Sequence, residues 1–406
     1  MKNRSRVLAQ ILLLLFLLSG CSEDASESSS AAEAVTGAEQ TSNILDIIGE
    51  RDLFGRTEKL ISVLRAVPAD QTPVFEEVLK QIKVPNRELD RLLIVTAWAK
   101  HDAPAATRWT KNREHDEVVR SAMYTETVYA WVVEDPGSFL ADMEMALYMK
   151  PGIEVSMMRA LIRGWFDSGE PHLEEYIRDM TPQSMDRQRA VDILVRLMIE
   201  RDGAAATIEW AKTLPGDGTY RATVYSRVAG QVAAVDSKLA VDWCAEVCGS
   251  PLGEGMPHMM AVRWAKESPQ EAMDFIVSLP DAVGVRTGAR AAYRRFLIDE
   301  PEQSSAWMER TTEEQRRGPV MQGSVGMYIN KLSGQGQPLK AIEWLGYLQK
   351  EEEREARLIP ILRRWLRRDE PAAEAWIAQS SMSDEAKLMV VETQIPLENR
   401  PKMSLR

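Results

Sequence analysis

The chain has 406 residues, 45% hydrophobic and 27% charged, a balance that excludes a disordered or fibrous protein. A net charge of −11 repels phosphate backbones, which argues against general nucleic-acid binding and for solubility by self-repulsion. Beyond the leader no apolar run approaches the roughly 20 residues that cross a bilayer, so the body reads as soluble.

The chain opens with a positive stretch, Lys2, Arg4 and Arg6, followed by an apolar run from Val7 to Leu18 broken only by Gln10. This is the layout of a secretory signal and is short for a transmembrane helix. It ends Leu18-Ser19-Gly20-Cys21: an aliphatic residue, two small residues and a cysteine. That ending resembles the lipobox of bacterial lipoproteins. The resemblance covers the signal region and implies diacylglyceryl transfer to the Cys21 thiol, cleavage between Gly20 and Cys21, and acylation (palmitate, for example) of the new amine. Two or three acyl chains anchor stably at about 0.8 kcal/mol per buried methylene. In Gram-negative lipoproteins an aspartate at this position retains the protein at the inner membrane, so Ser22 leans towards the outer membrane of the cell envelope, without indicating leaflet or facing direction. Removing Lys2, Arg4 and Arg6 takes the net charge from −11 to −14.

Residues 21–43 are rich in Ser, Ala and Glu and nearly lack apolar bulk, so they read as a disordered tether that holds the body about 25 Å from the bilayer. The body, 44–394, is organised by a repeat. One series of large side chains runs Trp98, Trp131, Trp165, Met198, Val232, Trp264, Phe296, Leu332, Trp365, in steps of 32 to 36. A second runs Trp109, Met143, Tyr176, Trp210, Trp243, Phe275, Trp307, Trp344, Trp376, always 11 or 12 residues after the first. Between the two anchors lies a proline in seven of nine units, as in Asp135-Pro136, Ser268-Pro269 and Asp369-Glu370-Pro371. Proline is tolerated in the first turn of a helix, and a preceding Asp or Ser can cap it. Each unit is therefore a helix A, a tight turn and a helix B. Apolar residues such as Ile193, Leu194, Leu197 and Met198 keep a 3.6 period, and no segment alternates like a strand.

The expected fold is all-α, an α-α superhelix: a solenoid of about nine to ten hairpins with a period near 33 residues. Residues 44 to 92 are expected to hold one further, less regular hairpin, with Phe75 one period before Trp109. The long step marks an insertion around Thr311 to Gly318. From Ser383 a capping helix is expected, then a tail over 395–406. An Ala three or four residues before the helix-B anchor (Ala206/Trp210, Ala372/Trp376) resembles tetratricopeptide repeats, with departures in helix A and in the repeat-ending proline. The resemblance covers roughly 95 to 380 and implies a scaffold that recruits or assembles envelope proteins.

Cys244 and Cys248, four apart on one helical face, read first as two packed thiols. A disulfide near the helix end before Gly249 and a metal site with His258 are the alternatives. The four histidines, His101, His115, His172 and His258, fall in different units without metal-ligand spacing, and no cofactor is expected. No catalytic triad, phosphate loop or recurrent carboxylate pair is present, so the chain does not read as an enzyme; an accessory catalyst is the third reading. The regular aromatics read as core rather than as a sugar-stacking platform. Arg286, Arg290 and Arg294 share one helix face at i, i+4 and i+8 and are the candidate contacts for an anionic ligand, with Arg354 to Arg368 a second basic stretch. A solvated face is the plainer reading of both. The leading functional expectation is a lipid-anchored protein–protein interaction scaffold. Binding of peptidoglycan or another anionic envelope polymer is the alternative.

Overall fold

In a computed structural model the chain is all-α. The structure describes residues 37–82, 87–111, 117–147, 155–215 and 218–392. Among these are 23 α-helices, and no strand. Contacts divide the chain into two compact units, one up to Ile177 and one from Arg178.

The first unit begins with three helices, α1 (Gly37–Gly49), α2 (Leu53–Arg65) and α3 (Pro73–Gln81). Two expectations change here. The tether expected over 21–43 lies outside the described residues only as far as residue 36, and from Gly37 the chain is already helical, with Thr41 and Ile44 buried. The single hairpin expected over 44–92 is instead part of this three-helix group, in which Phe75 is fully buried on α3 and stacks on His101 at 6.0 Å. Three A/B pairs follow: α4 (Glu88–Ala99) with α5 (Ala103–Lys111), α6 (Glu117–Glu134) with α7 (Pro136–Leu147), and α8 (Val155–Ser168) with α9 (Leu173–Asp179).

The second unit holds six more pairs. They are α10 (Met185–Asp202) with α11 (Ala204–Thr213), α12 (Thr219–Val235) with α13 (Ser237–Val247), α14 (Met256–Trp264) with α15 (Pro269–Ser278), and α16 (Val283–Asp299) with α17 (Pro301–Arg310). After the five-residue α18 (Glu313–Arg317) come α19 (Gln322–Gly334) with α20 (Pro338–Leu345) and α21 (Glu351–Leu366) with α22 (Glu370–Gln379). Helix α23 (Asp384–Glu392) caps the end, and the tail beyond it lies outside the described residues. Within each unit A helices pack on their own B helices and on the next A helix, which is the stacking of a solenoid.

The anchors explain that stacking. Trp98 meets Trp109 at 6.2 Å, Trp165 meets Tyr176 at 5.3 Å, Trp264 meets Phe275 at 5.6 Å and Trp365 meets Trp376 at 6.4 Å, each across its own hairpin. Where the helix-A anchor is aliphatic, a tyrosine earlier in the same helix supplies the ring: Tyr225 for Trp243 and Tyr328 for Trp344. Such pairs contribute about 0.5–1.5 kcal/mol beyond the area they bury. The turn between the helices is fixed by an aspartate four residues after the anchor. Asp102, Asp135, Asp236 and Asp369 accept the amides of Ala105, Ser138, Leu239 and Ala372 at 2.9 to 3.2 Å. Ser268 makes no such bond, so the start of α15 relies on Pro269 at its first position.

Close approach of successive A helices depends on small residues. A methyl group at Gly230 of α12 would lie 3.0 Å from the carbonyl oxygen of Met259 in α14, and one at Gly288 of α16 would lie 3.1 Å from the Cα of His258. The insertion is α18, held by a capping box between Thr312 and Gln315 and by Arg316, whose guanidinium lies over the rings of Trp344 and Tyr347 at 4.7 and 5.2 Å. No helix of the described residues is long and apolar enough to cross a membrane.

Candidate functional site

Gly20 and Cys21 lie outside the described residues, so the site seen in the structure is a surface: the side of the A helices that faces away from the B helices. Aromatic rings contribute little to it. Trp98, Trp131, Trp165, Trp243, Trp264, Trp307 and Trp344 are all buried, and the indole N–H of Trp307 donates to Asp274 at 2.7 Å.

The three arginines singled out on α16 part company. Arg286 forms an ion pair with Asp281 at 3.4 Å. Arg290 and Arg294 are exposed and pair with no carboxylate of the described residues; the stem of Arg290 lies over Gly323 on α19. The later basic stretch is different in kind. Arg357 pairs with Glu353 on its own helix at 2.8 Å and donates to the Gly326 carbonyl at 3.1 Å, Arg364 donates to Ser333 Oγ at 2.7 Å and Arg368 donates to the Gly334 carbonyl at 2.7 Å. Those side chains stitch α21 to α19.

One constellation escaped the sequence reading. Asp192 on α10 is met by two guanidinium groups, Arg227 on α12 at 3.5 Å and Arg263 on α14 at hydrogen-bond distance. Arg227 also donates to Gln188 Oε1 at 2.6 Å. Asp192 and Arg263 belong to repeats that are not neighbours, so side chains reach each other across the intervening α12. All three side chains are less than one-fifth exposed. Asp192 Oδ1, Gln231 Nε2 and His258 Nδ1, all on these same A helices, are buried without a hydrogen-bond partner among the described residues. Burial, with the positive charge of Arg227 adding to it, pushes the pKa of His258 below the ordinary imidazole value. A signal was available: Asp192, Arg227 and Arg263 follow at steps of 35 and 36, close to the repeat period.

The first unit carries a second polar group on its A helices. Tyr129 donates to Asp167 at 2.8 Å under the guanidinium of Arg163, and burial with that bond pushes the Tyr129 pKa up to about 12. Glu126 on the same helix has its pKa raised by burial, against the pull of Arg163.

Cys244 and Cys248 are joined by a disulfide, which corrects the expectation of two packed thiols and removes both from any metal site with His258. The reason is where the helix ends. α13 stops at Val247 and Cys248 is its C-cap, so the pair straddles the point where regular helix geometry is released, with Cα atoms 4.8 Å apart. Among the described residues no group of three His, Cys, Asp or Glu is placed to hold a metal. His172 pairs with Glu175 at 2.7 Å, and His115 lies outside the described residues.

No protein-family model, no curated protein and no solved structure matches this chain.

Proposed function

We propose that this chain is a lipid-anchored scaffold of the bacterial cell envelope, attached to a membrane through acyl chains on Cys21, whose tetratricopeptide-like helical repeats dock partner proteins. The observation that carries the reading is the helix-A side of the second unit. There Asp192, Arg227 and Arg263 from three successive repeats converge, and the next helix A, α16, carries exposed Arg290 and Arg294 that meet no carboxylate of the described residues. Surfaces built from several repeats suit extended partners, because each repeat adds one strip of contacts. The Cys244–Cys248 bridge supports a compartment outside the reducing cytosol. Ser22 supports the outer membrane over the inner.

Two experiments test this. Metabolic labelling with an alkyne fatty acid should mark the protein and fail on Cys21→Ala. Crosslinking in intact cells, followed by capture from envelope extracts, should recover a reproducible partner; recovery of none sinks the scaffold reading.

A second reading, binding of peptidoglycan or another anionic polymer, draws on Arg290 and Arg294 alone. Co-sedimentation with purified wall material, lost on Arg290→Ala/Arg294→Ala, would favour it.

A further inference from the structure

We propose that the helix-A side of α12, α14 and α16 is a carboxylate seat that takes an acidic, extended segment of a partner protein. This rests on the scaffold reading and specifies the partner's chemistry.

Two guanidinium groups, those of Arg227 and Arg263, meet one carboxylate, Asp192, and the next helix A, α16, adds exposed Arg290 and Arg294. That local excess of cation sits in a chain whose net charge is −11. Asp192 itself demonstrates the geometry: one of its oxygens is met by guanidinium groups from two different repeats. Guanidinium forks match carboxylates better than any other common group except phosphate. The resident carboxylate half-neutralises the Arg227/Arg263 pair, while Arg290 and Arg294 have no counter-ion of their own among the described residues.

Two features select a peptide over a sugar polymer. Met259 and Val262 are partly exposed on α14, Met259 one helical turn before Arg263, and they offer apolar contacts to the side chains of a peptide. Sugars are held by stacked rings, and here Trp264, Phe275, Phe296 and Trp307 face each other inside the hairpins. A long polyanion would also run onto the acidic remainder of the chain, whereas a short acidic segment meets only the local cations within a Debye length of about 10 Å. Neighbouring A helices lie about 8–10 Å apart, the reach of about three residues of extended chain. The favoured segment therefore carries an acid at about every third position.

The test is fluorescence anisotropy of a labelled oligoglutamate peptide with the whole mature chain, at low and at moderate salt, with oligoglutamine as the neutral control. Arg290→Ala/Arg294→Ala should weaken oligoglutamate binding about tenfold, equivalent to about 1.4 kcal/mol. Asp192→Asn should tighten it several-fold by removing the resident carboxylate. Asp186→Asn makes the same change in net charge at an exposed pair with Arg189 and should leave affinity near the wild-type value. Melting temperatures measured alongside separate loss of binding from loss of fold. Absence of oligoglutamate binding by the wild type at low salt overturns the proposal, as does equal behaviour of Asp192→Asn and Asp186→Asn. Loss of wall co-sedimentation in Arg290→Ala/Arg294→Ala with unchanged oligoglutamate binding transfers the face to the glycan reading. If the arginine variant still captures the envelope partner of the wild type, this face is not the docking site and the scaffold reading stands without it.

Discussion

Asp90 in the first unit and Asp192 in the second are both carboxylates met by two arginines, yet they sit in different surroundings. Asp90 is completely buried, with Arg56 at 3.2 Å and Arg87 at 3.6 Å. Arg56 is itself enclosed and donates to the Glu50 carbonyl at 2.8 Å. Its partners lie in the irregular three-helix start and the segment leading into α4, where no repeat supplies an aromatic pair across a hairpin. Asp192 is partly open, and its partners come from the next repeat and the next but one. The first arrangement closes a core; the second spans a surface. A charge cluster on a repeat protein is a candidate contact when its members come from successive repeats and keep some exposure.

Removing Asp90 should give the largest effect. Asp90→Ala leaves Arg56 buried without its carboxylate and should cost about 3–5 kcal/mol, measured by urea unfolding. The double variant Arg56→Met/Asp90→Leu should recover most of that loss, because the pair's attraction roughly balances its desolvation. Asp192→Ala should cost no more than about 1 kcal/mol, since its partners remain partly hydrated. Equal losses at the two aspartates would erase the distinction between core and surface.

The next effect concerns the disulfide, which sits in the second unit alone. Closing so short a loop should contribute about 2 kcal/mol through the unfolded chain. Cys244→Ser/Cys248→Ser should therefore lower the unfolding free energy by that order, and free-thiol titration of the native protein should find neither of the two cysteines. Smaller again is the cap. Asp369→Ala should cost about 1 kcal/mol by freeing the Ala372 amide, whereas Ser268→Ala, where no cap bond is made, should cost almost nothing.

Much of the repeat was legible because its anchors do one job at one spacing. Trp98 and Trp109, or Trp264 and Phe275, must touch across a hairpin, so their separation of 11 residues is set by the turn geometry and survives in the sequence. The start of the chain was less legible. The three-helix group keeps Phe75 but lacks an aromatic partner at the helix-A position, and α1 begins at Gly37 inside a segment whose Gly, Ala, Glu and Ser composition resembles a linker. The arginines of α16 were visible as a stripe, but only the fold brings Asp281 to Arg286. Asp192, Arg227 and Arg263 were hidden for a different reason. Each looks like an ordinary solvated charge within its own helix, and their meeting depends on how closely successive A helices approach, as Gly230 lets α12 approach α14.

The smallest expected effect separates the two polar groups by pH. In the first unit Glu126 faces Arg163, yet burial outweighs that attraction and holds the Glu126 pKa above its ordinary value of 4.5. A carboxyl that binds its proton more tightly in the folded state than in the unfolded one makes stability fall as pH rises. Its contribution is fully present below the ordinary value and is lost as pH climbs through the raised one. Glu126→Gln keeps the shape and removes the ionisation, so the variant should match the wild type in acid and melt slightly higher than it at neutral pH. In the second unit His258 titrates the other way: its lowered pKa means the folded state resists the proton, so stability is lost as pH falls below the ordinary imidazole value. His258→Gln should therefore flatten the acid side of the profile where Glu126→Gln raises the neutral side. A Glu126→Gln variant whose melting temperature tracks the wild type at every pH would mean that Arg163 and solvent compensate the buried carboxylate fully, and the Tyr129–Asp167–Arg163 group beside it would then resemble the Asp192 cluster.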